Sequence, residues 1–210
     1  EETRCAKSRA ETGRRDEMHV DRAFVGARAD AGQTDLGPMF VMPPHGLVLE
    51  EVPAPRRLAP FTAALSAETV ENEMGTPIAS GRFVVLHDPE GQDAWDGDFR
   101  VVVQARARLD DEVGTDPLLG SAAWSWLQEA LDSAGAGHRA LVGTVTRVLS
   151  ETFGGLDLTD SCGHVEIRAS WSPTTPDLGP HLGAWYEILH VAAGHEPEQA
   201  AALAVAVPGA

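Results

Sequence analysis

Hydrophobic and polar residues alternate most regularly between residues 99 and 109. One set of alternate positions is apolar and consists of Phe99, Val101, Val103, Ala105, Ala107 and Leu109. The positions between them are mostly polar and consist of Arg100, Val102, Gln104, Arg106 and Arg108. Such alternation is typical of an antiparallel strand with one face in the core and the other in water. The pattern therefore predicts a half-buried strand with an arginine-rich outer face.

Similar patterns predict the other elements of the chain. Strands are predicted around Val48 and at about residues 61–69, 79–87, 99–109, 139–152 and 164–172. Apolar residues three and four apart predict one helix after an N-cap at Asp116 and a second helix from about Asp177 to Gly194. This order predicts an α+β fold, with a mostly antiparallel sheet of about five or six strands and two main helices packed on one face.

The periodic segments all lie between residues 41 and 194, which we interpret as a single α+β domain. Residues 1–40 are polar, mixed in charge and without a sustained period, so we expect them to be disordered or a non-native leader. Residues 195–210 form an Ala-rich tail, for which a short helix is one interpretation.

The charge of the chain excludes several functions. The formal net charge is -16, and residues 39–210 hold 24 acidic residues against nine arginines. Because nucleic-acid affinity comes mostly from Lys and Arg contacts with phosphates, direct binding of DNA or RNA is disfavoured. Lys7 is the single lysine, so residues 8–210 cannot supply the lysine of a phosphate-binding loop or of a Schiff base.

Cysteine content and hydropathy predict the compartment. The two cysteines, Cys5 and Cys162, are too few and too far apart for a disulfide framework, which favours a reducing compartment. No apolar run approaches the roughly 20 residues that span a bilayer. We therefore expect a cytoplasmic protein that does not contact the membrane.

Five carboxylates lie in the loop between the third and fourth predicted strands: Asp88, Glu90, Asp93, Asp96 and Asp98. Oxygen ligands of this kind suit a hard cation, so a metal site is one hypothesis. No frame fits an EF-hand, because a loop that starts at Asp88 has Asp93 where the turn glycine belongs. Asp88-Pro89 and Asp96-Gly97 are turn formers, so a solvated hairpin tip, without metal or other cofactor, is the preferred interpretation.

The polar faces of two predicted strands are candidates for a binding surface. They carry Arg100, Gln104, Arg106 and Arg108 on the fourth strand and His164, Glu166 and Arg168 on the sixth. If the strands pair, this face, or a cleft between it and the acidic loop, could bind a small anionic ligand or a protein partner. The alternative is a solvated sheet face with cross-strand ion pairs, which we prefer because exposed charge is common on antiparallel sheets.

Two tryptophans suggest a different contact. Trp124 and Trp126 are about 200° apart on a helix, so both cannot point into the core. Because aromatic residues are enriched at interfaces, the outer one is a hypothetical contact in a homodimer or with another partner.

Five segments resemble, in the same order, the actinobacterial family called domain of unknown function 3000: LEEVPAPRRLAPF (49–61), GRFVVLHDPEGQDAWDGDFRVV (81–102), DPLLGSAAWSWLQEAL (116–131), GTVTRVLSETFGGL (143–156) and EIRASWSP (166–173). The resemblance covers about residues 47–194. It implies no catalytic residue, because the family has no established activity.

Elimination leaves a non-enzymatic binding or adaptor domain as the leading interpretation. The sequence has no nucleophile motif, no phosphate loop and no metal-binding spacing. Cys162 and His164 are two residues apart, but an ordinary buried cysteine is the better interpretation. The alternative function is a small metal-assisted enzyme that combines the acidic loop with His87 or His164.

Overall fold

Six segments of alternating apolar and polar residues pair side by side in the computed structural model, which describes residues 46–55, 57–69, 77–109, 111–150 and 163–194. The strands are β1 (Leu47–Glu51), β2 (Phe61–Thr69), β3 (Ala79–Gln92), β4 (Gly97–Leu109), β5 (His138–Val148) and β6 (Gly163–Pro173). The helices are α1 (Asp111–Thr115), α2 (Leu119–Ser133) and α3 (Gly179–Ala192), and a single 3₁₀ turn spans Asp93–Trp95.

The strands form one sheet in the order β1-β2-β3-β4-β6-β5, and every neighbouring pair is antiparallel. Because β6 pairs with both β4 and β5, the latter two run in the same direction. The chain therefore needs a crossover between them, which α2 provides. The predicted α+β class, the antiparallel sheet and the two main helices are confirmed.

The main core lies between one face of the sheet and the two long helices. The buried residues of α2 are Leu119, Ala123, Leu127, Ala130 and Leu131, at the three- and four-residue spacing of one helix face. On α3, the Trp185 ring packs against Phe83 of β3 at a centroid distance of 5.6 Å. The Trp185 Nε1–H donates to the Gln104 carbonyl over 3.1 Å, so this tryptophan buries its ring and satisfies its only polar atom.

The elements differ from the sequence predictions at several places, and the strand predicted to reach about residue 152 ends at Val148. The helix predicted after Asp116 begins at Leu119, and the Asp116 carboxylate instead accepts a hydrogen bond from the Leu118 amide over 2.8 Å. The one-turn helix α1 was not predicted, because it contains Gly114 and is too short to show a period. The strand β3 continues past Pro89 to Gln92 through an irregular stretch in which Gly91 has φ +72°.

Some predictions concern parts of the chain outside the described residues. These are the expected leader (1–40), the Ala-rich tail (195–210) and Cys162.

A close approach between the sheet and α3 depends on Gly81 of β3. A Cβ atom at this position would lie 2.5 Å from the Gln104 carbonyl oxygen and 2.9 Å from a methyl carbon of Leu189. Gly183, within α3, has no atom within 4 Å of its Cβ position. The same substitution should therefore act in opposite directions at the two glycines.

We expect Gly81→Ala to lower the free energy of unfolding by about 1–3 kcal/mol, because the backbone must move to accept the methyl group. Gly183→Ala should raise it by about 0.5–1 kcal/mol, because alanine is the better helix former. Urea denaturation of the two variants and the wild type measures both changes. Equal destabilisation by the two substitutions would contradict the packing described here.

The imidazole of His181 is buried at the start of α3. The Trp171 indole Nε1–H donates to its Nδ1 over 3.0 Å, so the ring accepts a hydrogen bond as the neutral form. The pKa of His181 is lowered to about 4, mainly by burial and then by the nearby His138, while Asp177 opposes the shift. Protonation of His181 would therefore have to overcome burial and the loss of this hydrogen bond.

The depressed pKa of His181 makes folding pH-dependent. The folded state binds this proton less tightly than the unfolded chain, so the stabilisation is complete above pH 6.5 and is lost as the pH falls towards 4. Between pH 7 and pH 4.5 this group alone should lower the free energy of unfolding by about 2 kcal/mol.

The control is His181→Asn, which keeps an acceptor but does not titrate. Urea denaturation at the two pH values should show that the wild type loses about 2 kcal/mol more than the variant. Equal losses in the two proteins would show that the titration of His181 does not contribute.

Candidate functional site

The sheet face turned away from α2 and α3, called the open face here, is organised in rows by the strand register. The first row is Ala64, Val84, Val102, Ser170 and Val142. The second row is Ser66, Arg82, Gln104, Arg168 and Thr144. The third row is Glu68, Ser80, Arg106, Glu166 and Thr146. Neighbouring strands are about 5 Å apart and neighbouring rows about 7 Å apart.

One end of the open face is covered. A small apolar cluster of Ala64, Val84 and Leu86 is buried there beneath Val52, Ala54, Ala59 and Trp95. Trp95 belongs to the tip of the β3–β4 hairpin, so this tip folds over the sheet. The covered end therefore adds to the packing, and the other end stays accessible.

Arg100 fastens the hairpin tip to the sheet. Its guanidinium donates to the Ala140 carbonyl over 3.0 Å and to the hydroxyls of Ser172 and Ser170 over 3.3 and 2.7 Å. The Ser172 hydroxyl in turn donates to the carbonyl of Trp95. The residue is only 7% exposed, and burial lowers the pKa of its guanidinium. Arg100 is thus separated by burial from the other residues of the predicted binding surface.

The accessible end of the open face carries four arginines on three adjacent strands. This arginine cluster consists of Arg82, Arg106, Arg108 and Arg168. Arg82 was not among the residues predicted from sequence. Its alternation with Gly81 and Phe83 places it on the polar side of β3, but its position beside Gln104 depends on the register of the hairpin.

Glu166 lies between these arginines, and a second carboxylate, Glu68, lines the same depression as Arg82 and Arg106. The Glu166 Oε2 accepts from the Gln104 amide over 2.9 Å, and its Oε1 forms an ion pair with Arg168. The Glu166 side chain is only 13% exposed, whereas that of Arg168 is 65% exposed. Within the described part of the chain, neither Arg82 nor Arg106 forms an ion pair. The cluster therefore has an excess of positive charge on an accessible surface.

The imidazole of His164 lies beside the positive charge of the arginine cluster. Its Nδ1 lies 3.3 Å from a guanidinium nitrogen of Arg106, and because arginine can only donate, the imidazole accepts as the neutral form. The pKa of His164 is lowered by burial and then by the charge of Arg106, while Glu166 acts in the opposite direction. His164, Glu166, Gln104, Arg106 and Arg168 are therefore brought together as predicted for paired strands.

The surface around the cluster is shallow. One depression is lined by residues that include Ser66, Arg82 and Arg106, and a second by residues that include Ile78, Arg108 and His164. Both are open to solvent, whereas a site for a small molecule normally buries 70–90% of its ligand's surface. As far as the described residues show, the open face therefore offers charged side chains and surface area but no enclosed cavity.

The carboxylates of the acidic loop make local contacts. Asp88 accepts hydrogen bonds from the Glu90 amide over 3.2 Å and from the Gln92 side chain over 3.0 Å. Asp96 takes a left-handed backbone conformation with φ 54° and lies 3.6 Å from Arg139. Among the described residues, no three His, Cys, Asp or Glu side chains are grouped so as to hold a metal ion.

The two histidines of the alternative enzyme hypothesis lie apart. His87 is buried beside the rings of Phe61 and Phe99, at centroid distances of 5.8 and 4.1 Å, and its Nδ1–H donates to the Asp98 carbonyl. His164 pairs with Arg108, roughly 30 Å along β4 from the hairpin tip. The structure does not bring His164 to the acidic loop.

The two tryptophans of α2 are both partly buried and both pack against the main core. Trp124 lies over Gly143 of β5, where a Cβ atom would be 2.7 Å from its ring. The predicted homodimer contact through the outer tryptophan stays a prediction.

The fold and this surface define a class of α+β protein in which helices cover one face of an antiparallel sheet and the other face presents charged side chains. Residues 39–201 match the family described as protein of unknown function DUF3000, and the chain belongs to this family. No curated protein and no solved structure matches the chain. Across the described residues, no helix has the length and hydropathy needed to cross a membrane.

The role of Arg100 can be tested by substitution. Arg100→Met should lower the free energy of unfolding by about 1–3 kcal/mol, because it removes the hydrogen bonds to the Ala140 carbonyl and the Ser170 hydroxyl and leaves the buried Ser172 hydroxyl without its donor. Arg106→Ala is the control, and should change stability by no more than about 0.5 kcal/mol because Arg106 is exposed.

Hydrogen exchange locates the effect. In the Arg100→Met variant, the amides of the hairpin tip around Trp95 should exchange faster than in Arg106→Ala, because the tip loses its attachment. Unchanged exchange at the tip would show that the apolar contacts of Trp95 hold it without Arg100.

Proposed function

We propose that this protein is a non-enzymatic binding or adaptor protein that recognises an acidic region of a partner protein through its arginine cluster. The observation that carries the proposal is the concentration of four arginines around one paired carboxylate on an accessible sheet face. The chain as a whole has a net charge of -16, so this surface differs in sign from most of the molecule.

The size of the cluster favours a short acidic segment. Its Cα positions span two strand spacings and two row spacings, or roughly 10 by 14 Å. A few carboxylates can contact such an area. A nucleic acid would extend beyond it onto an acidic surface that repels phosphates, so a polyanion is the weaker candidate.

The shape of the open face favours a macromolecule over a small anion. Arg82, Arg106 and Arg168 are exposed on a sheet where the described residues form no enclosing walls. A protein partner can exclude water from these side chains by covering them, whereas a small anion would stay hydrated there. We place this interaction in the cytoplasm, in keeping with the low cysteine content.

The experiment compares charge reversal inside and outside the cluster. Arg82→Glu and Arg106→Glu each reverse an exposed charge that forms no ion pair with a described residue. Arg57→Glu makes the same change at an exposed position outside the sheet, and is the matched control. Each protein is used to capture partners from host lysate, and binding of the purified partner is then measured by calorimetry.

We expect each cluster variant to weaken binding at least tenfold, because an attractive pair becomes a repulsive one. The control should bind like the wild type, and rising salt should weaken the wild-type complex. A partner that binds all four proteins equally, or whose contact surface is not acidic, would refute the proposal. Circular dichroism confirms that the variants are folded.

A further inference from the structure

The outer edge of β5 is a second surface with recognition potential. β5 ends the strand order of the sheet, and it is paired on one side by β6. No described strand pairs with its other side. Unpaired N–H and C=O groups along such an edge are a template for another strand.

The usable part of this edge is the stretch Val142–Val148. These seven residues pair with β6 in an uninterrupted register. The register shifts between Arg139 and Val142, where Ala140 has φ 50° and its carbonyl is held by Arg100. The irregularity therefore limits pairing at one end of the strand and leaves the rest of the edge regular.

The first five residues of the edge lack the common protections against strand pairing, and Arg147 near its end is the one charged residue in it. Val142, Gly143, Thr144, Val145 and Thr146 contain no charge and no proline, and four of the five favour strands. Val142 is 58% exposed. Edge strands of natural proteins usually carry Lys, Pro or inward-pointing charges when they are not meant to pair.

Charge identifies the kind of strand that would fit. Within this stretch β5 carries Arg147 and no carboxylate, and the exposed Arg168 lies on the adjacent strand. The Arg147 guanidinium donates to the Asp116 carbonyl and keeps its charge, whereas Arg139 lies before the stretch and forms an ion pair with Asp96. Two copies of this chain, each with a net charge of -16, would repel when their edges pair. A short acidic segment of another protein carries fewer charges, and its carboxylates would lie beside the exposed Arg168.

We propose that the edge Val142–Val148 accepts an extended acidic segment of a partner protein as a seventh strand of the sheet. Backbone hydrogen bonds supply the attachment, and side chains on the open face supply selectivity. A carboxylate beside Thr144 would lie about 10 Å from the Cα of Arg168, a distance that the two side chains can bridge. This inference goes beyond the proposed function, because it rests on the backbone edge and not on the arginine cluster.

The test uses the full chain and three synthetic probes. The first is a capped nine-residue peptide that alternates glutamate with valine or threonine. The second has the same sequence with every backbone amide N-methylated, which removes the donors and keeps the charge. The third replaces each glutamate with lysine. Each peptide is titrated into ¹⁵N-labelled protein and followed by NMR.

The acidic peptide should shift the amide signals of Val142–Val148 and slow the solvent exchange of those N–H groups that point away from β6. The N-methylated and lysine peptides should bind at least tenfold more weakly. Equal binding by the N-methylated peptide, or no shift at millimolar acidic peptide, would overturn the inference.

Two other results would also overturn it, and each has a separate meaning. Shifts confined to the strands of the arginine cluster would show that the acidic peptide binds the open face, which leaves the proposed function intact. The β5 amides could also become protected as the protein concentration rises, without any peptide. If light scattering then gives the mass of a dimer, the occupant of the edge is a second copy of this chain.

Discussion

The antiparallel pairing of β4 with β6 is the constraint on which the rest of this structure depends. It joins a strand that precedes α2 to a strand that follows β5, and so it closes the sheet around the crossover. On the helix side it places Trp171 beside Val101 within the main core. On the other side the same register places Glu166 beside Arg106 and Arg168 beside Gln104. A shift of one residue in the register of β6 against β4 would exchange the two faces, so that arginines would be buried and core residues exposed. The core packing that stabilises this register therefore also determines the geometry of the charged surface.

The strand β4 runs through both the covered end and the accessible end of the open face. Near the hairpin tip, Arg100 is buried and its charge is shared among a carbonyl and two hydroxyls. Three rows further on, Arg106 is exposed and has no ion pair with a described residue. Chemically identical side chains on one strand thus have different roles because the tip covers only one of them. Burial makes Arg100 part of the fold, and solvent access makes Arg106 available to a partner.

Sequence periodicity was sufficient to predict the six strands and the two long helices, but not the one-turn helix α1. It predicted β2 with the bounds that the structure shows, Phe61–Thr69. The alternation on β4 was also sufficient to separate its core face from its polar face. The order of the strands was not predictable, because the pairing of β6 with β4 joins residues more than fifty positions apart and leaves no local signal. The arginine cluster was therefore predicted in part. Arg106, Arg108 and Arg168 were included, and Arg82 was missed because its neighbours depend on register. Arg100 was grouped with exposed residues because alternation does not show which end of a face is covered.

A positive cluster on an acidic protein imposes a particular kind of recognition. At physiological ionic strength the Debye length is about 8 Å, so an acidic partner at a distance meets a screened and mostly negative molecule. Within a few ångströms of Arg82 and Arg106 the local charge dominates, and the attraction is strongest where the partner excludes water. Long-range steering therefore contributes little to association, and the rate should stay near that of a neutral encounter. The selectivity of such a surface lies in the lifetime of the complex, because only a partner whose carboxylates match the spacing of the rows can hold several arginines at once.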